Sequence, residues 1–317
     1  MTLRLDLTHD AAAFLTAAAD HLAVDPVLAT VVATHARRTT VDAASGVAPP
    51  ADDWWLTVRD PARGGRVVGV GMRTAPFAPR PPYLLPMPDD AAVALARTLH
   101  DRGEEVLAAA GALPTVEVFL AETARLAGGS AQVEVAQHTR LFSLADLAAL
   151  GAPRPVPGRL RAARADDPAD VETAVAWFAA FRGDADEQAG RPRGTLTDTG
   201  DPGAVRRRVE AGCVWFWEDE HGRPVHLTAA NPPAYGVVRL GPVYTPPAER
   251  GRGWAGAAVH AVTRRVLADG SRACLFTDQA NPTSNRLYAG LGYRAVVDMA
   301  HLRITTRGRR TPAGACA

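Results

Sequence analysis

The chain has 317 residues, a formal net charge of +1, 47% hydrophobic and 22% charged residues, which is the profile of a globular protein with length for two domains. All 35 basic residues are arginine, so Schiff-base catalysis, lysine attachment of pyridoxal phosphate, biotin or lipoate, and a Walker A loop are excluded. Near-neutral charge without a long basic run speaks against a dedicated nucleic-acid binder. Cys213, Cys274 and Cys316 fit no CxxC spacing, and the nine histidines form no HExxH or HxxxH pair, so no metal site is expected. No apolar run reaches the ~18 residues of a membrane helix and no secretory leader pattern opens the chain. The expectation is a soluble cytoplasmic protein without membrane partners.

In chain order, Trp54–Val58 and Val67–Val70, joined by a turn through Pro61–Gly65, read as a hairpin. Tyr83–Leu85 reads as a strand, Asp89–His100 as a helix, Val116–Phe119 as a strand and Gln132–Leu141 as the last strand of this half. Gly151–Gly158, with three prolines and two glycines, has the composition of a linker, dividing residues 1–150 from 159–317. Beyond it come a strand from Arg159, a helix opened by Asp166–Asp170, an acidic loop Phe181–Glu187, and a helix over Pro202–Glu210. A second tryptophan hairpin follows, Cys213–Trp217 with Val225–Ala229. Its likeness to the first hairpin suggests two copies of one fold.

Val237–Thr245 is strand-like but interrupted at Gly241-Pro242, where a break in the ladder is expected. Arg250-Gly-Arg-Gly-Trp-Ala-Gly256 then leads into a helix whose apolar stripe is Ala258, Val262, Val266 and Leu267. Glycines let successive amides turn toward one anion, and the following helix adds the partial positive charge of its N-terminus, so the turn reads as a diphosphate cradle flanked by Arg250 and Arg252. Gly251-x-Gly253-x-x-Gly256 also satisfies the dinucleotide fingerprint, with Asp278 as the ribose acid. However, Pro246–Arg250 separates the turn from its strand, and too little chain follows Asp278 for a second mononucleotide half. A buried-type strand, Ala273–Thr277, a helix over Pro282–Leu291 and a strand from Tyr293 complete the half. In the first half the corresponding turn is Pro86-Met-Pro-Asp-Asp90, with two acids and no glycine, where a phosphate would not sit.

These C-terminal elements resemble the GNAT superfamily of acyl-CoA-dependent N-acyltransferases. The signature [QR]xxGx[GA] falls on Arg250, Gly253 and Ala255, and Asn281, Ser284, Tyr288 and Gly292-Tyr293 match the helix that follows the next strand. The resemblance implies an α/β protein of two tandem GNAT-like domains, each a mixed, mostly antiparallel sheet flanked by helices, the first of them degenerate. It implies acetyl-CoA as cosubstrate and an amine as acceptor, with no metal. Val243, Tyr244 and Thr245 would line the pantetheine arm, and residues Gly251, Arg252, Gly253, Trp254, Ala255 and Gly256 would hold the pyrophosphate with Arg250. Asn281 would hold the pantetheine amide, with Ser284 and Asn285 beside it, and Tyr288 would protonate the departing thiolate after direct attack of the amine on the thioester.

Only three asparagines occur, at 231, 281 and 285, and two of them precede Tyr288, which marks that segment independently. A helix-capping role for Asn281 and Asn285 is the competing reading. The general base is open among Glu249, Asp278 and Glu218, and the acids of the Phe181–Glu187 loop could receive an ammonium group. His226, His260 and Cys274 read as structural. A non-catalytic acyl-CoA-binding sensor or scaffold is the alternative function, and a homodimer is compatible with the sequence.

Overall fold

Asp10, two residues past the first strand, accepts hydrogen bonds at its carboxylate from the amides of Ala12 and Ala13, which opens the first helix. The computed structural model describes residues 3–74, 80–128, 131–188, 192 and 201–306; Cys316 lies outside them. In the first half the elements are β1 (Arg4–Thr8), α1 (Ala11–Val24), α2 (Thr30–Ala44), β2 (Trp54–Asp60), β3 (Arg66–Arg73) and β4 (Tyr83–Leu84). They continue with α3 (Asp89–Asp101), β5 (Ala108–Ala112), α4 (Thr115–Leu126) and β6 (Ala131–Leu144). The second half comprises β7 (Arg159–Ala162), α5 (Pro168–Gln188), α6 (Pro202–Glu210), β8 (Val214–Glu218), β9 (Pro224–Ala230) and β10 (Val237–Tyr244). After these come α7 (Trp254–Ala268), β11 (Arg272–Asp278), α8 (Pro282–Gly290) and β12 (Arg294–Thr306).

Two sequence expectations are corrected. Val116–Phe119 is the first turn of α4, because Val116, Phe119 and Leu120 sit at helical spacing and are all fully buried against α3 and the sheet. The strand of that region is Ala108–Ala112, an alanine-glycine segment with little strand propensity that is held by its neighbours in the sheet. The acidic stretch Phe181–Glu187 is not a loop but the last part of α5, which runs through Gly183.

Among the described residues, twelve strands form one sheet in the order β1-β2-β3-β4-β5-β12-β6-β11-β10-β9-β8-β7, antiparallel except for the β4–β5 and β10–β11 pairs. The halves are interlocked at its centre. The last strand of the second half, β12, pairs with β5 of the first, and the last strand of the first half, β6, pairs with β11 of the second. Met299 and Leu302 of β12 are buried in the first half's two cores, while Phe142 and Leu144 of β6 are buried in the second half's core around α7. Arg140 of β6 grips Asp298 of β12 with two hydrogen bonds of 2.6 and 2.9 Å.

The helices cover both faces of the sheet. α3 and α4 pack on the face shared with α7 and α8, and α1, α2, α5 and α6 pack on the other. Near the centre, Val27 beside α2 joins Leu141, Val237 and Cys274 in a cluster built from both halves.

Since each half lacks its own closing strand without the other, heat should unfold the described chain in one transition. Calorimetry is expected to give a van't Hoff enthalpy equal to the calorimetric one, and two resolved transitions would show that the halves fold independently.

Candidate acyl-carrier site

β10 is parallel to β11 only from Val237, opposite Arg272, to Leu240, opposite Leu275. Beyond Leu240 its register shifts at Gly241, whose φ of +146° lies in a region that favours glycine, and β10 continues beside β9 alone to Tyr244. β11 meanwhile runs on to Asp278 along β6. Two parallel neighbours therefore part, leaving a stretch of β10 whose backbone is open on one side. Val243, on this open stretch, packs against the same apolar cluster as Leu240, Leu275 and Tyr288.

The gap ends at the arginine-glycine turn. Gly251 and Gly253 have φ of +77° and +92°, and Gly253 occupies the N-cap of α7 without any side chain capping the helix. Among the described residues, the amides of Gly251 through Gly256 donate no hydrogen bond to a protein acceptor. A run of open amides at a fifteen-residue helix's positive end is a site for an anion. The indole Nε1 of Trp254, in a residue only 6% exposed, is also without a partner. The linker closes one flank: a Cβ on Gly253 would stand 2.9 Å from Val156 Cγ1 and 3.9 Å from Arg154 Cδ. Gly256 serves packing, since a Cβ there would stand 3.3 Å from Leu287 Cδ1 of α8.

The two arginines of the turn do different things. Arg250 is anchored inward, Nη2 lying 2.5 Å from Asp184 Oδ2 and Nε donating to the Thr245 carbonyl at 3.1 Å. Asp184, buried on α5, also accepts from the Tyr244 hydroxyl at 3.0 Å, so this acid of the former loop ties α5 to both the open strand and the turn. Arg252 is exposed and ion-paired to Glu249 at 3.0 Å.

Tyr288 is 5% exposed, edge-on to Tyr293 with ring centroids 6.1 Å apart. Burial pushes its phenol well above the ordinary range, so it holds its proton at any physiological pH. Among the described residues its hydroxyl has no hydrogen-bond partner. The Tyr293 hydroxyl is instead bonded to Thr263 at 2.7 Å. Asn281 is the N-cap of α8 and accepts from the Ser284 amide at 3.0 Å. Asn285 accepts from Thr277 Oγ1 at 3.0 Å and donates to the carbonyls of Asp278, Asn281 and Gln279 at 3.0, 2.8 and 3.4 Å. Its amide is committed to holding the bend between β11 and α8.

The carboxylates left open as bases are engaged. Glu218 pairs with Arg159 and Arg161, Glu249 with Arg223 and Arg252, and Asp278 accepts from Gln137 and from the Ala280 amide. Cys274 is fully buried and its thiol is pushed up to about 11 by desolvation, which leaves it unreactive.

Residues 223–303, which span the open strand, the turn and the helix of Tyr288, match the family model described as FR47-like protein. That model is GNAT-related, so this stretch is similar to that family. No curated protein matches the chain. Solved structures match along nearly its whole length: a GNAT-family acetyltransferase from Colwellia psychrerythraea is similar at 12% identity and a TM-score of 0.56, over 96% of this chain and 100% of that one. A Drosophila protein aligns at 13% identity and a TM-score of 0.60 over 95% and 98%. A GCN5-related N-acetyltransferase from Sphaerobacter thermophilus aligns at 16%, with a TM-score of 0.52, over 96% and 95%. At these identities the likeness establishes the fold: both halves lie within the GNAT architecture.

At the end of the open strand, Thr245 is held by His226, whose two ring nitrogens lie 2.7 Å from Thr245 Oγ1 and 2.9 Å from Thr228 Oγ1. Burial lowers the His226 pKa from 6.5 to about 3. The unfolded chain therefore binds a proton here that the folded chain refuses, and stability present above pH 6.5 is lost as pH falls toward 3. In His226→Gln, the urea midpoint is expected to fall less steeply across that window than in the parent. Parallel profiles would show that His226 does not contribute.

Proposed function

We propose that the chain is an acyl-CoA-dependent N-acyltransferase, with acetyl-CoA as donor and the C-terminal half as the working copy. The observation that carries the reading is the parting of β10 from β11 directly ahead of an uncapped helix N-terminus. The residues present fit the coenzyme. The open edge of Val243, Tyr244 and Thr245 offers backbone groups to an extended pantetheine amide chain, as an added strand would use them. The open amides of Gly251 through Gly256 suit a pyrophosphate, with Arg252 at the turn's surface able to leave Glu249 for a phosphate. When bound, the coenzyme supplies an acyl group activated as a thioester.

Arg250 contributes indirectly in this reading, fixing the turn to Asp184 so that the amides stay aligned. Asn281 and Ser284 are placed at the start of α8, and Asn285 acts through the bend it holds. Tyr288 keeps its proton and leaves its hydroxyl uncommitted, which suits a general acid for a departing thiolate. A water is the natural route for the acceptor's proton, since the nearby carboxylates are paired. That same pairing is what favours the second reading, a coenzyme-binding protein without turnover.

The first half holds no coenzyme in this proposal. Its counterpart helix α3 begins with Pro88 as N-cap and carries Asp89 and Asp90 in its first turn, Asp90 Oδ1 accepting from the Ala91 amide at 3.0 Å. Its own acids occupy the helix's positive end, and Met87 fills the space beside Gly69, where an added Cβ would stand 2.4 Å from the Met87 Cβ.

Two variants test the reading. Gly253→Glu forces a side chain into the +92° backbone, against Val156, and adds a negative charge, so coenzyme A affinity measured by calorimetry should fall by about 100-fold or more. Unchanged affinity would place the coenzyme elsewhere. Tyr288→Phe should lower turnover by roughly 10²-fold or more while acetyl-CoA affinity stays within about twofold. Full turnover would remove the phenol from the chemistry, and tight coenzyme binding without consumption by any amine in the parent protein would favour the second reading.

A further inference from the structure

Along β10, Val238 and Leu240 face α7, so Arg239 between them faces the opposite side of the sheet. There α2 of the first half packs on β10 with α6 of the second close by, and the seam between them is lined with arginine. Arg239 Nη2 lies 3.4 Å from Thr34 Oγ1 on α2. Arg208 of α6 donates to Asn231 Oδ1 at 2.7 Å and to the Gly241 carbonyl at 3.2 Å, with its guanidinium 5.6 Å from the Phe178 ring centre. Arg38, one turn along α2 from Thr34, lies exposed at the mouth of the seam, 3.2 Å from His35 Nδ1.

Among the described residues, no carboxylate pairs with Arg38, Arg208 or Arg239. The contrast with the rest of the molecule is local, since the chain carries 34 acidic residues against 35 arginines. Arg161, similarly half-buried, is gripped by Asp170 and Glu218. At the seam the cations are near enough to repel one another instead. Burial, then Arg239 and Arg38, lower the Arg208 pKa to about 10, and burial with the three arginines keeps His35 neutral. Like charges held together away from water destabilise a fold unless something negative joins them. Guanidinium groups approaching from three elements make a fork that suits a planar carboxylate or a phosphate.

The location gives this site its meaning. Arg208 is bonded to the carbonyl of Gly241, the residue at which β10 leaves β11. We propose that the seam binds an anionic group carried by the acceptor, so that the substrate is an amine bearing a carboxylate or a phosphate, read by Arg208 and Arg239 from the second half and Arg38 from the first. The substrate class rests on the acyl-transfer reading above, whereas the anion site itself does not. The first half then contributes a specificity residue to a reaction that occurs on the second.

Thermal unfolding of the coenzyme-free full chain at constant ionic strength, with chloride replaced stepwise by inorganic phosphate, tests the site. So that the turn of Gly251–Gly256 cannot answer for the seam, the test is run in Gly253→Glu: phosphate should raise its melting temperature by about 2 °C or more, and should not raise that of the same chain carrying the double variant, Arg38→Gln with Arg239→Met. Without phosphate the double variant should melt at or above the parent temperature, because it removes repelling charges. No shift in Gly253→Glu, or a shift kept when the double variant is added to it, would overturn the site. Should the double variant fail to fold, exposed Arg38→Gln alone must reduce the shift.

Acetyl-CoA consumption with matched amines tests the substrate class: an amino acid against its carboxamide, and an aminoalkyl phosphate against the amino alcohol. One anionic member should exceed its neutral partner in kcat/KM by about tenfold or more, and that preference should collapse in Arg38→Gln through KM. Which pair discriminates tells carboxylate from phosphate. Equal use of both members overturns the substrate class, while no consumption with any amine overturns the acyl-transfer reading and leaves the anion site to the melting data.

Discussion

The organisation of the second half depends on one interruption in hydrogen bonding. At Gly241 the β10 ladder to β11 stops while the ladder to β9 continues, so a strand end is held in place with one edge unsatisfied. Both sides of that opening are reinforced. On the α7 face, Val243 packs with Leu240 and Tyr288. On the other face, Tyr244 and the turn residue Arg250 share buried Asp184. His226 fixes Thr245 at its end, and Arg208 fixes Gly241 at its beginning. A gap supported in this way is preorganised, and whatever fills it need not spend binding energy on opening the sheet.

Much of this was legible in the sequence because its signals are local. Gly241-Pro242 marks a break in any strand, Gly251 and Gly253 mark positive φ, and Pro282 and Gly292 bracket a short helix; the structure has each of these features. What sequence reading missed is non-local. Ala108–Ala112 is a strand only because β4 and β12 flank it, and Val116–Phe119, with strand-like residue types, is helical because its burial follows a helical period. Phe181–Glu187 read as a loop, yet Asp184 within it is pinned from two directions, which outweighs the roughly 1 kcal/mol that Gly183 costs the helix. The arginine seam had no sequence signal, since its members come from α2, α6 and β10, far apart in the chain.

The scarcity of asparagine acquires a fuller meaning in the structure. Asn281 caps α8, Asn285 holds the bend from β11, and Asn231 bridges Arg208 to the Arg239 carbonyl. All three therefore stand at the margins of the β10–β11 opening, each satisfying backbone or guanidinium groups that an apolar residue would leave unpaired. The absence of lysine has a structural counterpart as well. Cations that must sit half-buried and bond in two directions, such as Arg250 and Arg208, need a planar multi-donor group.

The exchange of β6 and β12 constrains how such a chain can change over time. If, as proposed, only the second half holds the coenzyme, the first would ordinarily be free to decay. Here the first half lends a strand to the second half's core and borrows one in return, so mutations that unravel it also unravel the half beside it. Selection for activity in one half is thereby selection for the architecture of the other. Deletion is closed to this lineage, whereas drift on the first half's surface, including the α2 face beside the opening, stays available for tuning what the protein recognises.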